Sequence, residues 1–320
     1  MKPELEIAIL AGGLSHEREV SLRSGRRVAE SLRSAGHQVS VRDVDANLLA
    51  ELRRERPDVV WPLLHGSTGE DGSIRDLLEL VGVPYVGTSA AGSRIAWNKP
   101  VAKTLVQRAG AATAEFVTLP QSLFREAGAH TVLDAVLDRL GMPLVVKPAQ
   151  GGSALGVSLV REPDDLAQAM VSCFSYGDVA LIERAVDGVE VAVSVVDVGD
   201  GPRALPGVEI ATDGPYDYDA RYNPGRTEFF VPTRLAPDRA QRAADLALLA
   251  HRELGLRHLS RTDMIIDDAG TPWFLEVNVA PGMTETSLFP QAAHAADQPV
   301  AELYAALAHQ GATTIRAHAR

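Results

Sequence analysis

Late in the chain, two short segments carry charged or amide residues at every second position: Ser260-Arg261-Thr262-Asp263 and Phe274-Leu275-Glu276-Val277-Asn278. Side chains two apart on a strand point to one face, so Arg261 shares a face with Asp263, and Glu276 shares one with Asn278. If the two strands are neighbours, two carboxylates and an amide oxygen converge. These are hard oxygen donors, the ligand type of magnesium, which takes carboxylates from protein and its other oxygens from phosphate and water. The segment that follows, Ala280-Pro281-Gly282-Met283-Thr284, has a Pro-Gly step that lets a backbone N–H approach a ligand closely, as an oxyanion cradle requires. Ser287, just before Leu288, stands where it can cap the next helix.

Lysines are scarce, which makes Lys99 and Lys147 informative. Lys147 ends the apolar run Leu144-Val145-Val146, where its charge is costly unless an anion meets it, and a polyphosphate is the obvious anion. Glu183 and Glu190 flank Arg184-Ala185-Val186-Asp187-Gly188, an apolar hinge with carboxylates suited to an amino group and ribose hydroxyls. Near the start, Glu17 and Val20 follow an apolar run and the glycines Gly12-Gly13. Ligands of a parallel sheet bind at the carboxyl ends of its strands, so Glu17 is placed to meet a cationic amine. His65-Gly66 closes another apolar run at the same edge, where a histidine serves equally as a loop hydrogen-bonder or a substrate contact. The polar stretch from Tyr216 to Tyr222 has the length and composition of a lid.

The elements that must position these groups follow from periodicity. Leu5–Leu10 reads as a strand, and Leu22, Val28 and Leu32 mark a helix after it. Val39–Val41 and Val59–Leu64 read as further strands, and Ser73–Leu80 as a helix ended by Gly82-Val83-Pro84. Strands alternating with helices imply a parallel sheet covered on both faces. The middle third predicts a helix from Val101 to Ala109, strands at 115–118, 144–147 and 180–183, a helix at 164–174, and a hairpin through Gly151–Gly156 into Val157–Val160. The last third predicts strands at 191–196, 228–231, 260–266 and 273–277, with helices at 238–254 and near the C-terminus. Asn98-Lys99-Pro100 marks a boundary.

At 320 residues the chain holds two or three cores. Its composition, 46% hydrophobic and 23% charged, excludes disordered and fibrous classes. A formal net charge of -11 excludes a broad nucleic-acid footprint, so any anion must be held by local cations and backbone N–H groups. The single cysteine, Cys173, forms no intrachain disulfide and reads as a buried structural thiol suited to a reducing cytosol. No run reaches the roughly 20 apolar residues of a membrane helix, so a cytoplasmic protein with no membrane association is expected. A nicotinamide-cofactor oxidoreductase fails for want of the third glycine and a ribose-binding acid.

Together these motifs resemble the D-alanine:D-alanine ligase family of the ATP-grasp superfold. The matching segments are Gly12-Gly13 with Glu17–Leu22, Leu64-His65-Gly66 with Gly69–Gly72, Lys147-Pro148 with Gly152-Ser153, Tyr216–Tyr222, Arg261 with Asp263, and Glu276 with Asn278 through Thr284. The resemblance implies an α/β chain, α+β in parts, of three domains. These are a Rossmann-like parallel-sheet domain at 1–97, a central ATP-grasp subdomain at 98–184, and a C-terminal subdomain at 185–320 with the metal site and lid. It implies ATP with two Mg2+ ions, manganese being able to replace them, two D-alanine molecules as substrates, and a homodimer. Glu17 would hold the first ammonium, and Glu17, Ser153 and Tyr222 would tie the N-terminal domain, central loop and lid together. Lys99 and Lys147 would hold phosphates, Glu183, Arg184, Val186 and Glu190 the adenosine, and Arg221 the γ-phosphate. Asp263, Glu276 and Asn278 would bind the metals, Arg261 and Gly282 the oxyanion, and Val20, His65, Ser287 and Leu288 would line the substrate site. Tyr222 favours a dipeptide over an ester product. The chain departs from the family at Gly151, Ala154, Ala280 and Asn98. These departures motivate an alternative, a ligase joining other D-amino acids; a nucleotide binder without catalysis conflicts with the intact charged positions.

Overall fold

A computed structural model describes residues 3–212 and 227–314. The opening run forms β1 (Glu6–Leu10), which lies between β2 (Gln38–Arg42) and β3 (Val59–Pro62) in a parallel sheet. Alternation decides the two cores. Ile7 and Ile9 turn to one face, where Val28, Ala29 and Leu32 of α1 (Arg18–Ser34) cover them, while Ala8 and Leu10 turn to α2 (Leu48–Glu55) and α4 (Ser73–Val81). The expected cover on both faces is present. Helix α1 comes close because its inner face is small: a Cβ on Gly25 would lie 2.5 Å from that of Ala11. Between β3 and α4 lies the one-turn helix α3 (Ser67–Glu70), where Gly69 presses so tightly on the Leu64 carbonyl that no side chain fits.

Ser89 caps α5 (Ala90–Trp97) by accepting from the Gly92 N–H, and Asn98 caps α6 (Lys99–Arg108) by accepting from the Val101 N–H. Helix α6 therefore starts two residues earlier than the sequence predicts, with Pro100 in its first turn, where the missing N–H costs nothing. The central sheet is antiparallel, in the order β4 (Phe116–Pro120), β7 (Val179–Arg184), β5 (Leu144–Pro148), β6 (Ser158–Val160). Three helices accompany it, α7 (Gln121–Ala127), α8 (Ala129–Leu140) and α9 (Leu166–Phe174). Its β5–β6 hairpin carries the glycine loop, as expected. Cys173 is fully buried in this core, and burial pushes its thiol up to about 12.

The last sheet runs β11 (Thr227–Phe230), β10 (Val208–Thr212), β8 (Val189–Val196), β12 (Leu259–Ile266), β13 (Pro272–Asn278), with β9 (Arg203–Ala204) on β8. Helix α10 (Pro237–Glu253) packs on one face, and α11 (Leu288–Ala295) meets the other. The final helix, α12 (Val300–Thr314), returns to the N-terminal layer, where Tyr304 meets Trp61 edge to face at 5.5 Å. Among the described residues, no helix is long and apolar enough to cross a membrane.

Candidate active site

Strands β12 and β13 are antiparallel neighbours, in a register that sets Arg261 opposite Asn278 and Asp263 opposite Glu276. A bulge follows Asp263, so the alternation that aligns these pairs is interrupted only beyond them. Asp263 and Glu276 therefore share a face with Asn278, whose Oδ1 accepts from the Ala280 N–H at 2.7 Å and retains a second lone pair. This set of two carboxylates and an amide carbonyl suits a hard divalent cation. Each carboxylate is met by a protein cation. Arg261 holds Asp263 through two bonds of 2.7 Å, and Lys99 Nζ lies 2.9 Å from Glu276 Oε2.

Lys99 is the first residue of α6, where the helix dipole disfavours a cation. Two acceptors compensate: Glu276 and the Gly151 carbonyl, at 2.6 Å in the central loop. The loop itself bends through two non-glycine residues in the left-handed region, Ser153 at φ 52 and Ala154 at φ 55, a conformation found where neighbouring structure enforces it. Ser153 Oγ donates a short hydrogen bond to Glu17 Oε1, so the central loop is tied to the start of α1.

Glu17 stands beside β1, whose carboxyl end Ser21 and Asp43 fasten: Ser21 Oγ accepts from Gly12 N–H and donates to the Leu63 carbonyl, and Asp43 accepts from Gly13 N–H. Next to Glu17 is Glu70. A Cβ on Gly152 would lie 3.4 Å from Glu17 Oε2 and 3.9 Å from Glu70 Oε1, which places both carboxyl groups around one point. Burial, reinforced by the Glu17 charge, raises Glu70 to about 8, so it is protonated at neutral pH. His65 is pushed the other way by burial and stays neutral. Its Nδ1 lies 3.1 Å from the Ala280 carbonyl, which can only accept, so Nδ1 carries the proton and Nε2 offers a lone pair. That Nε2 is buried and has no hydrogen-bond partner among the described residues.

A cavity of about 160 Å³ draws most of the sequence-predicted site together: Glu17, Val20, His65, Lys99, Ser153, Arg261, Glu276, Asn278, Gly282, Ser287 and Leu288 all line it. A Cβ on Gly282 would meet Ser287 Oγ at 2.8 Å, so any side chain there would push that hydroxyl aside. Ser287 occupies the N-cap position of α11 but forms no side-chain cap; its hydroxyl turns back to accept from Thr284 N–H at 3.0 Å. The expectation of a capping bond is corrected, because Gly282 leaves the hydroxyl room to fold inward.

Lys147 and Glu183 lie apart from this group. The anion that meets Lys147 is Glu183, with Nζ 2.5 Å from Oε1. Burial raises Glu183, but Lys147 and Lys103 outweigh it and hold the carboxyl below its usual range. Burial likewise opposes the charge on Lys147, yet Glu183 and the more distant Glu276 and Glu190 raise it. Glu190 is half-buried on β8, opposite Ile265. Arg184 and Val186 line a separate hollow of about 900 Å³ beside Phe116 and Trp273. Arg221 and Tyr222 lie outside the described residues. Two participants escaped the sequence reading, Glu70 and Lys103; the only sequence signal for the latter was its position one helical turn after Lys99.

Two antiparallel sheets meeting along a lysine-bearing helix, behind a small parallel α/β layer, form the architecture of ATP-grasp ligases. The family model described as D-ala D-ala ligase C-terminus matches residues 105–308, and that of the N-terminus matches residues 42–88. The chain is 42% identical over 288 residues to a D-alanine–D-alanine ligase of Anaeromyxobacter sp., covering 90% of each chain. It is 39% identical over 316 residues to that of Bordetella avium, covering 98% of this chain and 97% of the relative. Among solved structures it resembles the Bacillus anthracis D-alanine–D-alanine ligase complexed with ATP, with a TM-score of 0.81, 27% identity and coverage of 99% and 100%. It also resembles the VanG D-Ala:D-Ser ligase of Enterococcus faecalis, with a TM-score of 0.84, 26% identity and coverage of 97% and 100%. The chain belongs to the D-alanine–D-alanine ligase family.

Proposed function

We propose that this enzyme joins two D-alanine molecules into D-alanyl-D-alanine at the expense of ATP, in the cytoplasm, to supply a precursor for the cell wall. The observation that carries the reading is one small cavity with two unlike walls. Glu17, Glu70 and His65 come from the N-terminal layer, while Lys99, Arg261, Glu276 and Asn278 come from the ATP-grasp parts, which we divide near 97/98 and 184/185.

Two steps use both walls. A carboxylate oxygen of the first D-alanine attacks the γ-phosphorus of ATP as the bond to the β-phosphate oxygen breaks, giving ADP and an acyl phosphate. The second D-alanine, having lost its ammonium proton to solvent, then attacks the acyl carbon through its amine. The tetrahedral stage collapses as the acyl C–O bond breaks, phosphate leaving with that electron pair and the new amide nitrogen shedding its extra proton. Phosphoryl transfer depends on positioning and charge neutralisation. Lys99 and Lys147 supply fixed positive charge, and Asp263, Glu276 and Asn278 would hold magnesium, which neutralises the moving phosphoryl group. Glu17, locked by Ser153, orients the first ammonium. Arg261 and the Gly282 N–H face the oxygen that becomes negative at the tetrahedral stage. Ser287 and Leu288 shape the second pocket, and the His65 Nε2 lone pair accepts a hydrogen bond from a substrate amine. Tyr222 and Arg221 would complete the site.

The test is ADP release with ATP, magnesium and a panel of D-alanine, D-serine and D-lactate, with products identified by mass. Dialanine as the main product is expected. Turnover with another second substrate and none with D-alanine would move the chain to the alternative specificity.

A further inference from the structure

Lys103 is the fully buried member of the chain's small lysine set, and nothing in the reaction above uses it. The chain has four lysines, and three of them, Lys99, Lys103 and Lys147, are buried. Lys103 has no exposed side-chain surface. Its Nζ lies 2.7 Å from Glu183 Oε2 and 3.4 Å from the Phe274 carbonyl oxygen, with the Phe116 ring centroid at 5.5 Å. Lys147 takes the other oxygen of the same carboxylate. Glu183 is thus gripped on both oxygens, one lysine to each.

The placement follows from α6. Lys99 and Lys103 stand one turn apart, and both bridge the central and last sheets. Lys99 touches Gly151 in the central loop and Glu276 on β13; Lys103 touches Glu183 on β7 and Phe274 on β13. Thr113 Oγ1 donates to the same Phe274 carbonyl at 2.9 Å, fixing that point of the strand. A buried ion pair is poor value for stability alone, since an apolar side chain of the same length would fill the space without desolvating a charge. Its benefit must lie in what it does to Glu183. An ionised carboxylate only accepts hydrogen bonds, whereas a protonated one also donates.

We propose that Lys103 is a positioning residue for the nucleotide: it fixes Glu183 as an acceptor-only carboxylate between the two sheets, and so selects a purine that presents an amino group over one that presents a carbonyl. The inference rests on the reading of Glu183 as a residue that holds the nucleotide base. A base amine donates to the fixed carboxylate. A carbonyl at the same place meets a second acceptor, and the site rejects it.

The experiment compares Lys103→Met, Glu183→Gln and the double variant in the full chain, measuring KM and kcat with ATP and with inosine triphosphate at saturating D-alanine, alongside thermal unfolding. Lys103→Met is expected to raise KM for ATP about tenfold, to change kcat less than about threefold, and to narrow the ATP-to-inosine-triphosphate ratio of kcat/KM about tenfold. A purely structural loss would scale kcat down equally for both nucleotides and leave that ratio alone. If Lys103→Met folds and leaves KM and the ratio unchanged while Glu183→Gln shifts both, the proposal is overturned. If Glu183→Gln also leaves both unchanged, the role of Glu183 itself fails. Should Lys103→Met not fold, the double variant is compared with Glu183→Gln. Equal constants are expected, and a further tenfold rise in KM for ATP overturns the proposal.

Discussion

The two walls of the cavity handle charge in opposite ways. On the side built by β12 and β13, both carboxylates, Glu276 in the cavity lining and Asp263 paired with it in register, have a protein cation within 3 Å, Arg261 for Asp263 and Lys99 for Glu276. On the wall built by the N-terminal layer, two carboxyl groups crowd together, and one, Glu70, escapes the conflict by keeping its proton. The difference teaches what each wall awaits. The first is a balanced set of charges, which in the proposed reaction exchanges partners with phosphate and metal. The second carries acceptors in the cavity lining, Glu17 and the buried His65 Nε2, and in the proposed reaction an amino acid's ammonium is the donor that suits them.

The largest effect is expected where the balanced wall is broken. Glu276→Gln removes a metal-type donor while keeping shape, and should lower turnover about 10³-fold with the melting temperature changed by only a few degrees. Steady-state ADP release measures it; turnover within tenfold of the parent would place Glu276 outside the machinery. Next comes the protonated carboxyl. In the unfolded chain Glu70 titrates near its ordinary value, and in the folded chain only at about 8, so the folded state binds more protons between those limits. The contribution is therefore present below pH 4.5 and is lost as pH rises through about 8, on the order of 5 kcal/mol across the window. Glu70→Gln should flatten that decline relative to the parent in denaturant titrations at pH 5 and pH 8. Parallel curves for the two proteins would mean that Glu70 is ionised when folded.

Glu17→Gln tests the receiving role of the same wall. It keeps the hydrogen bond from Ser153 but loses the charge, so KM for D-alanine should rise about 10- to 100-fold while KM for ATP holds. An equal rise in both would indicate a collapsed loop.

How much of this was legible in the sequence depended on whether a signal was local. The parallel sheet could be read because Ile7–Leu10 and Val59–Leu64 are apolar on both faces, as a covered strand must be. Helix α7 could not, since none of its residues is buried and no apolar stripe marks it. Helix α2 was missed because only Leu48 and Leu52 anchor it. In the site, Arg261, Asp263, Glu276 and Asn278 were legible because a period of two and a neighbouring strand suffice to align them. Glu70 was not, since its burial depends on a single helical turn folding in beside Glu17. Nor was the pairing of Lys103, because its partner lies in another sheet and spacing says nothing about it. The departures also gained meaning only in three dimensions: Asn98 caps α6 as well as an aspartate would, so that exchange leaves the helix start intact.

The smallest effect is expected where the two walls are clamped at the rim. Glu285, in the turn before α11, pairs with Arg27 and, at 3.4 Å, with Arg23, both on α1, and all three side chains are at least a third exposed. Such pairs are screened by water and salt, so Glu285→Gln should lower the melting temperature by less than about 2 °C at low ionic strength, and by nothing measurable in about 0.5 M salt. Beneath them, the Met283 N–H donates to Ser24 Oγ at 3.1 Å, and Ser24 has no exposure. Ser24→Ala strands that amide in the interior, and its cost, about 1–3 kcal/mol, should survive high salt. Thermal melts of both variants at two salt concentrations separate the contributions. If Glu285→Gln instead cost more than Ser24→Ala, and did so in high salt, the clamp between the walls would be ionic, and the buried hydrogen bond would be secondary to it.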